Sequence, residues 1–355
     1  MIHYFFHAHH PPRIKLTSDL DFVLRVAVGT SCGNFGHPSS SRGAWQWAER
    51  LHLEERVASV LSQAGNVDAW GPELSAGVRR VESRRQGNLR ACAEVRERLE
   101  RALAEGAWQV VSLPDSANYG DSALRTDDAN VEVLVDGEGY RPLIGELVRG
   151  GCVTELLPVP WSARKGRGLV IRGRQGAGLV LHRELRFVRM VPGGAFVDLD
   201  CLKRCGQLSR DAVAPKNIWL ASIAVQAANV VAELLVEQRF APEFPAFRGL
   251  LAAQTLGLGH DEDIAFDAYL LLHTDVEHAE YEALRELLRA LTGGTLHELS
   301  KRARTLLDHF VASASAPNYR ARLQLQRKAQ VWQHDGHLER AAEGVGRLLA
   351  MVTNR

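Results

Sequence analysis

The densest run of chemistry-bearing side chains in this sequence is Asn118-Tyr119-Gly120-Asp121-Ser122-Ala123-Leu124-Arg125-Thr126-Asp127-Asp128-Ala129-Asn130-Val131-Glu132. It lies between two apolar runs, residues 108–113 (WQVVSL) and 131–135 (VEVLV), that read as short buried strands. Residues two apart on a strand share a face, so Asn130 and Glu132 are expected on one side and Val131 and Val133 on the other. A later strand-like run, residues 195–199, would place Asp198 and Asp200 on a single face in the same way. Carboxylates converging from two strands can hold a pair of Mg²⁺ ions, which clamp a nucleoside triphosphate for in-line phosphoryl or nucleotidyl transfer. The small turn Gly120-Asp121-Ser122 leaves backbone N–H groups free to face phosphates. Arg125, and Lys216 ahead of the next helical stretch, are cations that could reach a triphosphate.

Two other polar concentrations compete. His260, Asp261, Glu262, Asp263, Asp267, His273, Asp275, Glu277 and His278 contain the ligand types of a transition-metal site. Their spacing matches no metalloenzyme pattern, however, and a solvated helix end explains them more simply. Arg164, Lys165, Arg167, Arg172, Arg174, Arg183, Arg186 and Arg189 form a local basic stretch suited to an anionic ligand, or to ordinary pairing with Glu155 and Glu184. Trp161 and Trp219 are expected in the core.

The elements that must position these residues fall into three stretches. Residues 1–106 read as helical. One helix runs around Leu20 to Ala27, and a Gly- and Ser-rich loop follows over 33–43. A second helix carries Trp45, Ala48, Leu51, Val57 and Leu61, and a long polar helix over 73–105 ends at Gly106. Residues 107–210 read as an α+β core. Beyond the two strands above, it has a helix over 140–148 and strands over 152–159, 168–172, 179–185 and 195–199. Residues 211–355 return to helical periodicity, over 218–237, 247–256, 264–272, 279–291, 296–312 and 319–351.

The order of these elements resembles the nucleotidyltransferase superfamily with a polymerase-β-like palm, and more closely the bacterial nucleotidyltransferase family proteins. The resemblance spans residues 45–240. It is carried by the lead-in Ala48-Glu49-Arg50-Leu51-His52, the helix closing at Ala104-Glu105-Gly106 and the strand Val110-Val111-Ser112-Leu113. Further on it is carried by Tyr119-Gly120-Asp121…Leu124-Arg125, Val131-Glu132-Val133-Leu134-Val135, Gly150 and Phe196-Val197-Asp198-Leu199. It implies a mixed-sheet core flanked by helical regions, with Glu132, Asp198 and Asn130 as catalytic positions and Asp128, Glu132 and Asp198 on Mg²⁺. Gly120, Asp121, Ser122, Arg125 and Lys216 would hold the nucleotide, and the acceptor would be a small molecule, peptide or protein. The chain departs from the family twice. Pro114-Asp115 stands where members carry Lys-Gly, and Asn130-Val131-Glu132 stands where they carry Asp-x-Asp. An Asn removes one unit of negative charge from the metals. A second expectation is therefore a pseudoenzyme that keeps the fold and binds a nucleotide, peptide or protein without turnover.

Composition narrows the partners. In 355 residues, 43 basic and 42 acidic side chains leave a formal charge of +1, so no global field favours nucleic acid or anionic lipid. The 46% hydrophobic content suits a packed chain and not a disordered one. Five scattered cysteines fit free thiols, and no stretch reaches the ~18 apolar residues of a membrane helix, so a cytoplasmic location is expected.

Overall fold

Glycine, proline and serine at the ends of apolar-periodic stretches set most of the helix boundaries in the computed structural model. It describes residues 11–28, 35–106, 109–113, 130–136, 138–149, 153–158, 168–173, 178–182, 199–204, 206, 208–209, 218–232, 234–235, 246–272, 276–316 and 319. Helix α1 spans Ser18–Val28, α2 Ser41–Arg50 and α3 Glu54–Gln63, followed by a 3₁₀ turn, Val67–Trp70, and α4, Pro72–Glu105. The expected single helix through Trp45 and Leu61 is thus two, and the expected loop over 33–43 gives up Ser41 to Gly43 to α2. The break has a physical cause. Leu51 and Leu53 are both 1% exposed, and residues two apart cannot share one helical face. His52 therefore takes a left-handed conformation (φ 56) and turns the chain. The turn is closed by the Leu53 N–H on the Ala48 carbonyl at 2.8 Å, and Arg248 Nε donates to the His52 carbonyl at 3.0 Å.

Pro72 at the first helical position opens α4, whose 34 residues reach roughly 51 Å at 1.5 Å per residue. Its first turns pack on α2 and α3, and its last turns, with Leu99, Ala102 and Leu103 buried, reach the sheet. Gly77 is where α4 meets α2. A Cβ there would lie 2.4 Å from the Trp45 ring, which is itself held by its Nε1–H on Glu49 Oε1 at 2.7 Å. Gly77→Ala is expected to destabilise the chain by about 1–3 kcal/mol through overpacking. That outweighs the ~1 kcal/mol helix-propensity gain of alanine. Urea unfolding checks this; a stabilised variant would contradict the contact.

The sheet is mixed and seven-stranded: β1 Val110–Leu113, β2 Asn130–Val135, β3 Val153–Pro158, β4 Gly168–Gly173, β5 Gly178–His182, β6 Leu208–Ser209 and β7 Ile218–Ala221. Their order is β3-β4-β5-β2-β1-β7-β6. β1 runs antiparallel to β2 and parallel to β7, while β2 runs parallel to β5. Helix α5, Tyr140–Arg149, follows β2, and the short α6, Leu199–Arg204, precedes β6. The chain is α+β, as expected, and the helix over 140–148 and the strands at 110, 131, 153, 168 and 178 lie where periodicity put them.

Two expectations fail. Residues 218–237 do not begin as a helix: Ile218–Ala221 is β7, and α7, Ile223–Ala232, starts after Ser222. The strand expected over 195–199 is not one throughout either, because Leu199 opens α6.

The remaining helices are α8 Ala246–Thr255, α9 Glu262–Leu272, α10 His278–Gly293 and α11 Lys301–Ser315. Gly294 (φ 70) ends α10, and the turn folds α11 back along it. Ser300 caps α11 through Ala303 N and is held from α10 by Glu286. The last helix expected, 319–351, lies outside the described residues apart from Tyr319. One apolar core joins α1–α4 to α7–α11 and takes in Val111 and Leu134 from the sheet.

Candidate functional site

Strand pairing brings the two described candidates to one end of the sheet. β1 ends at Leu113 and β2 begins at Asn130, and because these strands are antiparallel both positions lie at the same end. Glu132 is level with Leu113 on β1 and with Val180 on β5, while Asn130 is level with Gly178. The alternation that relates Asn130 to Glu132 continues to Leu134. That residue is fully buried in the principal core, so the candidates occupy positions on the sheet face that the helical layer covers.

The same end carries a feature that sequence reasoning missed. β7 is parallel to β1, with Ser112 level with Leu220, so Ala221 ends level with Leu113 and Glu132. Ser222 then caps α7, its Oγ accepting from Val225 N at 3.2 Å. The positive end of a ten-residue helix therefore starts two strands from Glu132, roughly 10 Å at ordinary strand spacing. The signal was present: a serine one residue before an apolar helix is an N-cap type. It was hidden because Ile218-Trp219-Leu220-Ala221 runs without polar interruption into that cap.

Gly120, Asp121, Ser122, Arg125, Asp127, Asp128, Asp198 and Lys216 lie outside the described residues, as do Trp161 and every member of the basic stretch except Arg172, which sits on β4. Asp200 is the second residue of α6, so the expected pairing of Asp198 with Asp200 on one strand face is corrected. As donors for Mg²⁺, Glu132 offers a carboxylate and Asn130 a neutral carbonyl at neighbouring same-face positions. Mg²⁺ is commonly held by one or two carboxylates completed by substrate phosphates and water, so this small set of hard oxygens fits it.

His273 and Asp275 of the His260–His278 cluster lie outside the described residues; three of its other members have structural contacts. Asp261 Oδ1 caps α9, accepting from Asp263 N and Ile264 N at 3.1 and 3.0 Å. His278 meets the Tyr269 ring edge-on at 5.2 Å. Glu262 bonds Arg285 Nη2 at 2.6 Å. Among the described residues no group of three or more His, Cys, Asp or Glu could hold a metal ion, and no helix is long and apolar enough to cross a membrane.

Arg285 is the buried member of that network. Its Nε donates to the Leu258 carbonyl at 3.1 Å and its Nη1 to Glu282 at 3.2 Å. Burial works against its charge, but hydrogen bonds and attraction from Glu262 and Glu282 raise its pKa overall. In turn the Arg285 hydrogen bond, then its charge, holds the Glu262 carboxyl below its ordinary value of 4.5. Arg285→Met should cost about 1–3 kcal/mol, because Leu258 is 1% exposed and its carbonyl loses its donor. Glu262→Gln should cost far less than Arg285→Met, since Glu262 remains 74% exposed and solvent screens its charge. The pH sign follows from the depressed pKa. The Glu262 contribution is whole above pH ~4.5 and is lost as pH falls through the folded-state value. Thermal melts between pH 3 and 7 check both variants; equal costs would contradict the network.

No family model matches the chain, and no curated protein and no solved structure matches it at a significant level.

Proposed function

We propose that this chain is a nucleotidyltransferase-like protein that binds a nucleoside triphosphate with Mg²⁺ at the Asn130/Glu132 end of the sheet. It would pass the nucleoside monophosphate to a hydroxyl, amine or phosphate of a small-molecule, peptide or protein acceptor. The observation that carries this reading is the register that sets Asn130, Glu132, the exit of β1 and the start of α7 at one end of a mixed sheet. Glu132 would hold Mg²⁺, with Asp128 and Asp198 completing the set. When bound there, Mg²⁺ would supply charge neutralisation for the triphosphate and its leaving group. The α7 N-terminus adds a fixed positive field for phosphate, and Gly120, Asp121, Ser122, Arg125 and Lys216 would cradle the β and γ groups. Attack by the acceptor on the α-phosphorus forms the new ester, amidate or phosphoanhydride and releases pyrophosphate. The acceptor proton leaves to a carboxylate or to water.

A second reading, a pseudoenzyme that binds without turnover, is favoured by Asn130 in place of an aspartate and by Pro114-Asp115 in place of Lys-Gly. A thermal-shift scan with ATP, GTP, CTP and UTP, each with and without Mg²⁺, tests the proposal. Metal-dependent stabilisation by one nucleotide is expected, about 2.7 kcal/mol at a hundredfold excess over Kd. Absence of any shift removes nucleotide binding and leaves a protein- or peptide-binding role.

A further inference from the structure

Residues 11–17 form no helix or strand, yet their backbone is held against α11. The Ile14 N–H donates to Asp308 Oδ1 at 3.1 Å, and the Ile14 carbonyl accepts from Arg304 Nη2. Both partners are side chains one turn apart on α11, and they hold each other. Arg304 Nε donates to the same Asp308 oxygen at 3.2 Å, and Asp308 is only 6% exposed. A clamp braced in this way keeps its shape with or without a peptide in it, so binding needs little ordering.

Exposure alternates along the segment. Ile14 and Leu16 are half-buried, while Pro12, Arg13, Lys15 and Thr17 are exposed. A period of two belongs to an extended segment that turns one side to the protein. Ile14 packs on Ala312 and Tyr319, and both Ile14 and Leu16 pack on the principal core. Main-chain hydrogen bonds, with pockets for alternate side chains, are a general means of reading an extended peptide.

The segment can lift without disturbing the helix that follows it. Thr17 caps α1 by itself, its Oγ1 accepting from Leu20 N at 3.2 Å and its carbonyl from Asp21 N at 2.9 Å. Lifting residues 11–16 breaks the two Ile14 hydrogen bonds and uncovers two half-buried side chains, which is a local opening and not an unfolding of the core. We propose that the Arg304–Asp308 clamp is a peptide-binding slot and that residues 11–16 are its latch. The ligand is an extended protein segment with the apolar-x-apolar pattern of Ile14-Lys15-Leu16. Its first apolar residue cannot be proline, because that N–H must reach Asp308. The residue between the two apolar positions faces solvent, as Lys15 does, and is free to be polar.

The probe is a fluorescein-labelled peptide with the sequence of residues 11–17, titrated by anisotropy against full-length chains. In the native chain the tethered latch competes at an effective concentration on the order of millimolar, so the peptide should bind weakly. Ile14→Asp, which unseats the latch, should tighten peptide binding by about tenfold or more, and Arg304→Met added to it should remove that gain. No gain from Ile14→Asp, or a gain that survives Arg304→Met, overturns the proposal. A second measurement needs no unseating variant. By NMR hydrogen exchange in the native chain, the Ile14 amide should exchange about tenfold or more faster than that of Leu24 within α1, and Arg304→Met should speed Ile14 alone. Equal rates at Ile14 and Leu24 would mean that the segment opens only with the whole fold, and overturn the latch equally.

Discussion

Glu132→Gln should abolish the Mg²⁺ dependence of nucleotide binding and lower nucleotidyl transfer on the order of 100-fold or more. The substitution keeps the shape of the side chain and removes only its charge. Glu132 is the one carboxylate among the described candidate positions, held between Leu113 and Val180 in the middle of three paired strands. Among the described residues no acid stands level with it on either neighbouring strand. The reciprocal variant, Asn130→Asp, restores the second anion of the pair and should tighten Mg²⁺-dependent binding instead. Titrations of both variants with nucleotide, with and without metal, measure the effect. If Glu132→Gln keeps the metal dependence of the native chain, Glu132 is not in the site.

Phe310→Ala should destabilise the fold by about 3–5 kcal/mol, the range for removing a fully buried phenyl ring. Phe310 is 0% exposed on α11 and meets Phe247 of α8 edge-on, with centroids 6.5 Å apart and planes at 75°. Both rings belong to the apolar core that runs from α1 to α11 and into β1 and β2, so the void would open where the helical layer is tied together. Against the total stability usual for a domain, about 5–15 kcal/mol, such a loss is a large share. Phe247→Leu keeps most of the apolar volume and should cost much less. Urea unfolding followed by far-UV circular dichroism reads both; a loss under about 1 kcal/mol for Phe310→Ala would contradict the packing.

Much of the fold was legible because local chemistry and tertiary structure agree. Pro72 and Gly106 bound α4, and short apolar runs with a glycine or proline near one end mark β1 to β5. The failures are places where two local readings were equally good. Leu51 and Leu53 fit a helix by composition, but burying both required the left-handed turn at His52. Ile218 to Ala221 is apolar without period, so strand and helix could not be told apart until pairing with β1 decided it. Leu199 and Leu202 are three apart and follow an aspartate, which suits a helix start as well as a strand. For the site, alternation revealed that Asn130 and Glu132 belong together. It could not reveal that Gly178 lies beside Asn130 or that α7 begins at the same end of the sheet, because those are properties of strand order and not of spacing along the chain.

The proposed function requires that Glu132 and Asp198 face one nucleotide pocket at the end of the sheet where β1 leaves and β2 enters. Crystals grown with Mn²⁺ and a non-hydrolysable nucleoside triphosphate, measured at the manganese absorption edge, test it most directly. An anomalous peak is expected at the Glu132 carboxylate, with Asp198 on the same side and the triphosphate toward Ser222. A peak remote from Glu132, or Asp198 on the opposite side of the sheet, would contradict it.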